Sequence, residues 1–199
     1  MSAHRSVELQ EFLDAALAAF AANATSAAAR TTIDRIRTRS MTPGHERTGG
    51  GHTLPVCAHL EPALIAAGQD GRFNTMLDAF RKLLPRLDWR PRPRWDAATA
   101  SGNFPHGHAN AMILGPGGIE EEQDAWLGLS LLAPQVRYPD HNHPPEEVYL
   151  VMSDGHFRQE NGAWFTPGIG GSFYNSPGIL HAMRSGEAPL LAFWGLWNG

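Results

Sequence analysis

Between Ala111 and Trp197 the apolar residues stand in short runs, and glycine or proline interrupts them every few positions. The runs are Ala111–Leu114, Ala125–Leu132, Glu147–Met152, His156–Gln159, Ser172–Tyr174, Leu180–Arg184 and Leu190–Trp197. Between them lie Gly115–Gly118, Ser153–Gly155, Asn161–Gly162, Pro167–Gly171 and Ser185–Pro189. Short strands at close spacing, joined by tight turns rather than crossover helices, predict a β-sandwich or β-barrel.

The first half keeps a different period. Leu9, Phe12, Leu13, Leu17 and Phe20 recur every three or four residues and make one stripe of an amphipathic helix over Val7–Phe20. A second helix is expected over Ser26–Arg37, with Ile33 and Ile36 inward, and helical spacing returns around Pro62–Ala67. From Arg72 to Leu87 it is strong, with a kink or stop at Pro85. Thr42 to Gly51 is expected to be an irregular, mobile loop. Arg90–Pro91–Arg92–Pro93–Arg94 reads as an extended linker, because alternate prolines disfavour a helix. The fold class is therefore α+β, a helical region over residues 1–95 followed by a small β-barrel over 96–199.

Composition narrows the function. Hydrophobic content of 42% supports a proper core, and the net charge of −4 leaves no electrostatic footprint for nucleic acid. Cys57 is the only cysteine, so an intrachain disulfide and a multi-thiolate zinc site are both excluded. No apolar run reaches the ~18 residues that cross a membrane, so no membrane partner is expected. The Ala-rich stretch Ala15–Ala29 follows acidic residues and keeps a helical period, which reads as mature protein rather than a leader. The expected compartment is the cytoplasm, and a homo-oligomer is left open.

The segment that carries chemistry is Tyr138–Pro139–Asp140–His141–Asn142–His143–Pro144–Pro145–Glu146–Glu147–Val148–Tyr149. Strand alternation would turn His141 and His143 to one side and, after the Pro–Pro bend, Glu147 and Tyr149 to one side. His181 follows the turn Asn175–Ser176–Pro177–Gly178 and can reach the same place in a barrel. Imidazoles and a carboxylate suit one divalent ion, whether zinc, iron, manganese, nickel or cobalt. Buried together without one, they would be costly. His106 and His108 form another His-x-His but lack an acidic partner at suitable spacing, so they read as structural. His4, His45, His52, His59 and His156 read as ordinary surface or hydrogen-bonded histidines.

These two segments resemble the paired metal motifs of the cupins, whose fold is a double-stranded β-helix. His141, His143 and Glu147 match the first motif; Gly171, Pro177 and His181 match the second. Gln135 stands where the first motif expects a glycine, and Ser185 where an asparagine often follows the histidine. More closely, the run from Arg137 to Leu150 with Tyr174–Gly178 and His181 resembles the Q-type cupin lyases of dimethylsulfoniopropionate. That resemblance implies a carbon–sulfur lyase acting on a small zwitterionic sulfonium, releasing dimethyl sulfide and acrylate. It implies Tyr149 as the base, Tyr138 in substrate binding, and His143, Glu147 and His181 as metal ligands. His141 is either a fourth ligand or a substrate-binding group. Trp194 and Trp197 have opposite parity on the last strand, and Trp194 is favoured as the aromatic wall for the cation. The competing readings are another metal-dependent cupin enzyme, such as a dioxygenase or isomerase, and a non-catalytic small-molecule-binding cupin.

Overall fold

The computed structural model describes residues 4–69 and 71–199. Its helices are α1 (Val7–Asn23), α2 (Ala27–Ser40), α3 (Leu60–Ala67), α4 (Asn74–Leu83) and a single turn, α5 (Phe104–Gly107). The predicted stripe is the buried face of α1, where Leu9, Phe12, Leu13, Ala16, Leu17 and Phe20 are all covered. Ser26 caps α2, its side chain accepting from the Ala29 N–H. Pro85 has the expected effect: α4 ends at Leu83 and a 3-10 turn, Leu84–Arg86, follows. The predicted helix around Pro62–Ala67 is α3, preceded by a 3-10 segment, Pro55–His59.

Among the described residues nine strands occur: β1 (Trp89–Arg90), β2 (His108–Leu114), β3 (Ala125–Leu132), β4 (Arg137–His141), β5 (Glu146–Val151), β6 (His156–Gln159), β7 (Ser172–Asn175), β8 (His181–Arg184) and β9 (Leu190–Trp197). They form two antiparallel sheets, one of order β1-β2-β3-β9-β5-β7 and one of order β4-β8-β6. The expected barrel is thus divided, because backbone hydrogen bonds do not run continuously around the strands. The fold is a helical layer on a six-stranded sheet, with a three-stranded sheet facing the other side. The Arg–Pro linker begins inside the sheet, since Arg90 pairs with Asn110.

Strand alternation decides which layer each side chain joins. On β5, Val148 and Leu150 enter the core shared with the helices. Tyr149 and Val151 enter the second core, between the sheets, with Leu132, Phe157, Met183 and Ala192. In the helical core Phe12, Phe80 and Phe193 form a ring cluster with centroids 5.1–5.9 Å apart, tying α1 and α4 to β9. Each such pair contributes ~0.5–1.5 kcal/mol beyond the area it buries.

The loop 42–51 is irregular, as expected, but tied down. The Gly44 N–H donates to Glu120, and Arg47 donates to the carbonyls of Gly50 and Arg86. None of its residues lines the cavity described below. Gln135 adopts a left-handed backbone, φ 58°, at the place where the resemblance calls for glycine. A side chain there costs ~1 kcal/mol, and the Gln135 N–H offsets it by donating to Gly186 O at 2.7 Å. Ser185 makes a related substitution useful: its hydroxyl accepts from the Val136 N–H and donates to Ala133 O.

Candidate metal centre

His141 closes β4, Glu147 lies near the start of β5 and His181 opens β8, so three strand ends from both sheets meet at one edge of the sandwich. His141 and His181 are Cα partners across the β4–β8 pair. His143 departs from the expectation: it lies beyond the end of β4, in the Pro144–Pro145 turn, rather than on a strand. It reaches the site through the turn and not by alternation. One ligand-capable nitrogen each from His141, His143 and His181 lies within 4.8 Å of the others. Glu147 Oε2 is 3.5 Å from His143 Nε2 and 3.3 Å from His181 Nε2.

The protonation pattern follows from what each ring touches. His141 Nδ1 lies 2.9 Å from Pro139 O, His143 Nδ1 3.0 Å from Pro145 O, and His181 Nδ1 3.0 Å from Ile179 O. A carbonyl oxygen only accepts, so each Nδ1 carries the hydrogen and each neutral ring turns a bare Nε2 lone pair to the middle. His181 Nε2 is buried with no hydrogen-bond partner. The three ring nitrogens therefore gather within reach of one ion, with the Glu147 carboxylate against two of them, an arrangement that repels itself unless a proton or cation sits there. The donor set, imidazole nitrogen with one carboxylate, fits a borderline divalent ion, and the backbone carbonyls orient the rings as outer partners of metal-bound histidines do.

Charge and burial agree with that geometry. Burial, then the positive forms of His181 and Arg92, pushes His141 well below its ordinary value. His181 is lowered too, chiefly by burial. Burial also pulls on His143, but the Glu147 carboxylate outweighs it and the net direction is upward. Glu147 is fully enclosed, which favours its neutral form, yet His143, His181 and Asn175 hold it ionised and its pKa is lowered. Asn175 was assigned no role in the sequence. It is the Cα partner of Glu147, donates to Glu147 Oε2 at 2.8 Å and is itself held by Gln159.

Beside this cluster lies a cavity of about 200 Å³ lined by Arg92, Asn110, Ser130, Tyr138, Tyr149 and Trp194, with Met112, Trp126, Met183 and Leu196 as apolar surface. Sites for drug-sized ligands run ~300–1,000 Å³, so this one suits a small molecule. Trp194 faces the cavity, and Trp197 borders a groove on the outer side with Arg35, as their parity requires. Tyr138 would face away from His141 in a regular strand. The register shift between them in the β4–β8 pair brings both inward, with ring centroids 4.9 Å apart. Tyr149 is buried, stacked on Phe173 at 5.1 Å. Burial, and then the neighbouring Glu147 carboxylate, pushes its hydroxyl well above the usual phenol value.

His108 is structural, as read, but not idle. Its ring stacks on Phe104 at 3.7 Å, its Nδ1–H donates to Phe104 O, and its Nε2 accepts from the Arg92 N–H at 2.8 Å. Arg92 itself escaped the sequence reading, which treated it as linker. Its only sequence signal is an arginine held extended between two prolines, which says nothing about where the side chain goes.

The profile of the dimethylsulfoniopropionate lyase family matches residues 27–192 of this chain. A putative dimethylsulfoniopropionate lyase, DddL, of Cereibacter sphaeroides is 30% identical over 147 residues, 73% of this chain. The matched region spans 60% of the length of that relative. Two solved structures share the fold over nearly the whole chain. One, described as the dimethylsulfoniopropionate lyases RdDddP and RnDddQII, has a TM-score of 0.74 at 22% identity and covers 96% of this chain and 92% of its own. The other, the lyase DddQ from Ruegeria pomeroyi DSS-3, has a TM-score of 0.68 at 18% identity and covers 97% and 92%. With a family match across most of its length, the chain belongs to the dimethylsulfoniopropionate lyase family.

Proposed function

We propose that the chain is a metal-dependent carbon–sulfur lyase that splits dimethylsulfoniopropionate into dimethyl sulfide and acrylate, with Tyr149 as the base. The observation that carries this reading is the convergence of three imidazole nitrogens, with the Glu147 carboxylate against two of them, beside a small, aromatic-walled cavity. On this reading residues 96–199 are the cupin barrel, its two sheets parted, and the region up to residue 95 is helical but lends β1 to the barrel's larger sheet. His143, Glu147 and His181, with His141 as the fourth, would hold one divalent ion. When bound, the ion supplies a counter-charge for the negative charge that develops on the substrate's carboxylate side and the positive field that Tyr149 needs to ionise.

The rest is done by side chains. Tyr149 Oη takes the proton from the carbon next to the carboxylate. The C–H electron pair becomes the new carbon–carbon double bond, and the bond from the next carbon to sulfur breaks toward sulfur. Neutral dimethyl sulfide leaves, acrylate remains, and the proton stays on Tyr149 until solvent removes it. The face of Trp194 takes the sulfonium end by cation–π attraction, worth ~0.5–2 kcal/mol, enough to orient a cation without retaining the product, and Tyr138 binds the substrate from the other wall of the cavity. Burial of the Tyr149 ring keeps water from competing for the proton.

The test is headspace gas analysis of dimethyl sulfide from purified protein whose metal content has been measured. Release of dimethyl sulfide with equimolar acrylate is expected, and none from a metal-loaded sample would reject the reading. Tyr149→Phe is expected to retain the metal and lose ~10²–10⁴-fold in turnover, the usual worth of a general base. Near-normal turnover would remove Tyr149 from that role.

A further inference from the structure

Arg92 brings a cation to the cavity, and the Glu147 carboxylate that also lines it is paired with His143 and His181 and not with Arg92. Among the described residues no carboxylate forms an ion pair with Arg92, whereas Arg90, two positions earlier, is paired with Asp88. The Arg92 side chain is also fixed rather than loose. Its backbone N–H is held by His108 Nε2 at 2.8 Å, and its Nε donates to Arg94 O at 3.0 Å. One terminal nitrogen reaches the Tyr138 hydroxyl at 3.4 Å, and the guanidinium carbon lies 5.7 Å from that ring's centre. The alternating prolines that rule out a helix thus hold an arginine at the cavity.

A hydrogen-bond chain gives the second half of the argument. An indole N–H only donates, so Trp194 Nε1 fixes the Ser130 hydroxyl as its acceptor at 3.1 Å. Ser130 then donates to Asn110 Oδ1 at 2.7 Å, and Asn110 Nδ2 donates to Tyr138 Oη at 3.1 Å. With Arg92 also donating to it, Tyr138 Oη is an acceptor twice over. Its own hydrogen is left to be given away. The polarity of the whole chain, running from Trp194 to Tyr138, ends in a donor beside the guanidinium.

We propose that Arg92 and the Tyr138 hydroxyl together form a carboxylate subsite, and that Arg92 makes the cavity selective for small monocarboxylates over neutral isosteres. A guanidinium and a hydroxyl donor side by side match the two oxygens of a carboxylate. In naming dimethylsulfoniopropionate as the carboxylate's owner the proposal rests on the lyase reading; the subsite itself does not. For a zwitterion the arrangement also sets direction, with the anionic end at Arg92 and the Tyr138 hydroxyl and the sulfonium end left to the face of Trp194.

The subsite is tested by calorimetric binding of propionate and of propionamide to metal-loaded protein, comparing wild type with Arg92→Gln, Arg92→Lys and the exposed control Arg94→Gln. Wild type is expected to bind propionate more tightly than propionamide. Arg92→Gln is expected to lose ~10-fold or more for propionate, the scale of a charge-assisted hydrogen bond, with propionamide binding and metal content unchanged. Arg92→Lys keeps the charge without the fork and is expected to fall between them, and it serves if the glutamine variant folds poorly. Equal propionate binding by wild type and Arg92→Gln, parallel loss of both ligands, or no propionate binding by wild type would each overturn the proposal. Loss of propionate binding in Arg92→Gln by a protein that releases no dimethyl sulfide would leave the subsite standing and the lyase reading fallen. With the natural substrate, the same variant is expected to raise KM more than it lowers kcat.

Discussion

His141 and His181 oppose each other as Cα partners on β4 and β8, with ring centroids 4.1 Å apart. Two positive charges at that distance repel by about 4 kcal/mol at the effective dielectric usual for proteins. Burial lowers both rings further, so the pair is neutral at pH 7 and offers lone pairs instead of charge.

Removing one ring of that pair tests the centre directly. His181→Ala is expected to abolish stoichiometric metal binding, read by elemental analysis after dialysis. Asn175→Ala removes only the amide that orients Glu147. It is expected to weaken the metal by ~10–100-fold, the usual effect of losing an outer partner. Full occupancy in His181→Ala would place the ion elsewhere.

The centre also predicts a pH dependence. His143 is raised above its ordinary value by Glu147, whereas His141 and His181 are lowered. A ligand must be deprotonated to bind. Metal affinity should therefore climb as pH rises above 6.5, with about one proton released per ion, from His143. The other two rings, lowered by burial, should not compete until the pH falls below 6.5. Chelator competition at several pH values reads the slope; a flat profile from pH 6 to 8 would contradict the assignment.

Gly128 and Trp194 are Cα partners on β3 and β9, and a Cβ on Gly128 would stand 2.3 Å from the indole ring. It would also meet the Ala111 carbonyl at 2.6 Å. The glycine is thus what lets the indole lie flat against the sheet. Gly128→Ala is expected to push Trp194 toward the cavity, change tryptophan fluorescence and raise KM. Unchanged emission and kinetics would show that the ring has room elsewhere.

Just ahead of α1, Arg5 makes a buried ion pair with Glu120. Arg5 reaches Glu120 through two hydrogen bonds of 2.6 Å and also donates to Ser40 O at 2.7 Å, and both side chains are nearly inaccessible. Arg5→Met leaves a buried carboxylate without its cation and is expected to cost ~3–5 kcal/mol of stability. Arg5→Met with Glu120→Leu is expected to recover much of that loss. Urea denaturation of the single and double variants checks both.

Much of this molecule was legible in the sequence because periodicity is a local property. The stripe from Leu9 to Phe20, the stop at Pro85 and the opposite parity of Trp194 and Trp197 need only the geometry of one element. That His141, His143 and His181 gather in one place was legible too, since imidazoles in that spacing are costly to bury singly. Side-chain direction was not always legible. Tyr138 turns inward only because the β4–β8 register slips beside it, and His143 reaches the centre from a turn.

The sequence by itself determined the two kinds of element, their order and the chemistry of the candidate ligands, because these follow from residue type and spacing. Only the tertiary structure decided that the strands part into two sheets, that Asn175 orients Glu147, and that Arg92 enters the cavity. Those depend on contacts between segments far apart in the chain, such as the His108 ring that holds the backbone of Arg92. No local pattern encodes such distances.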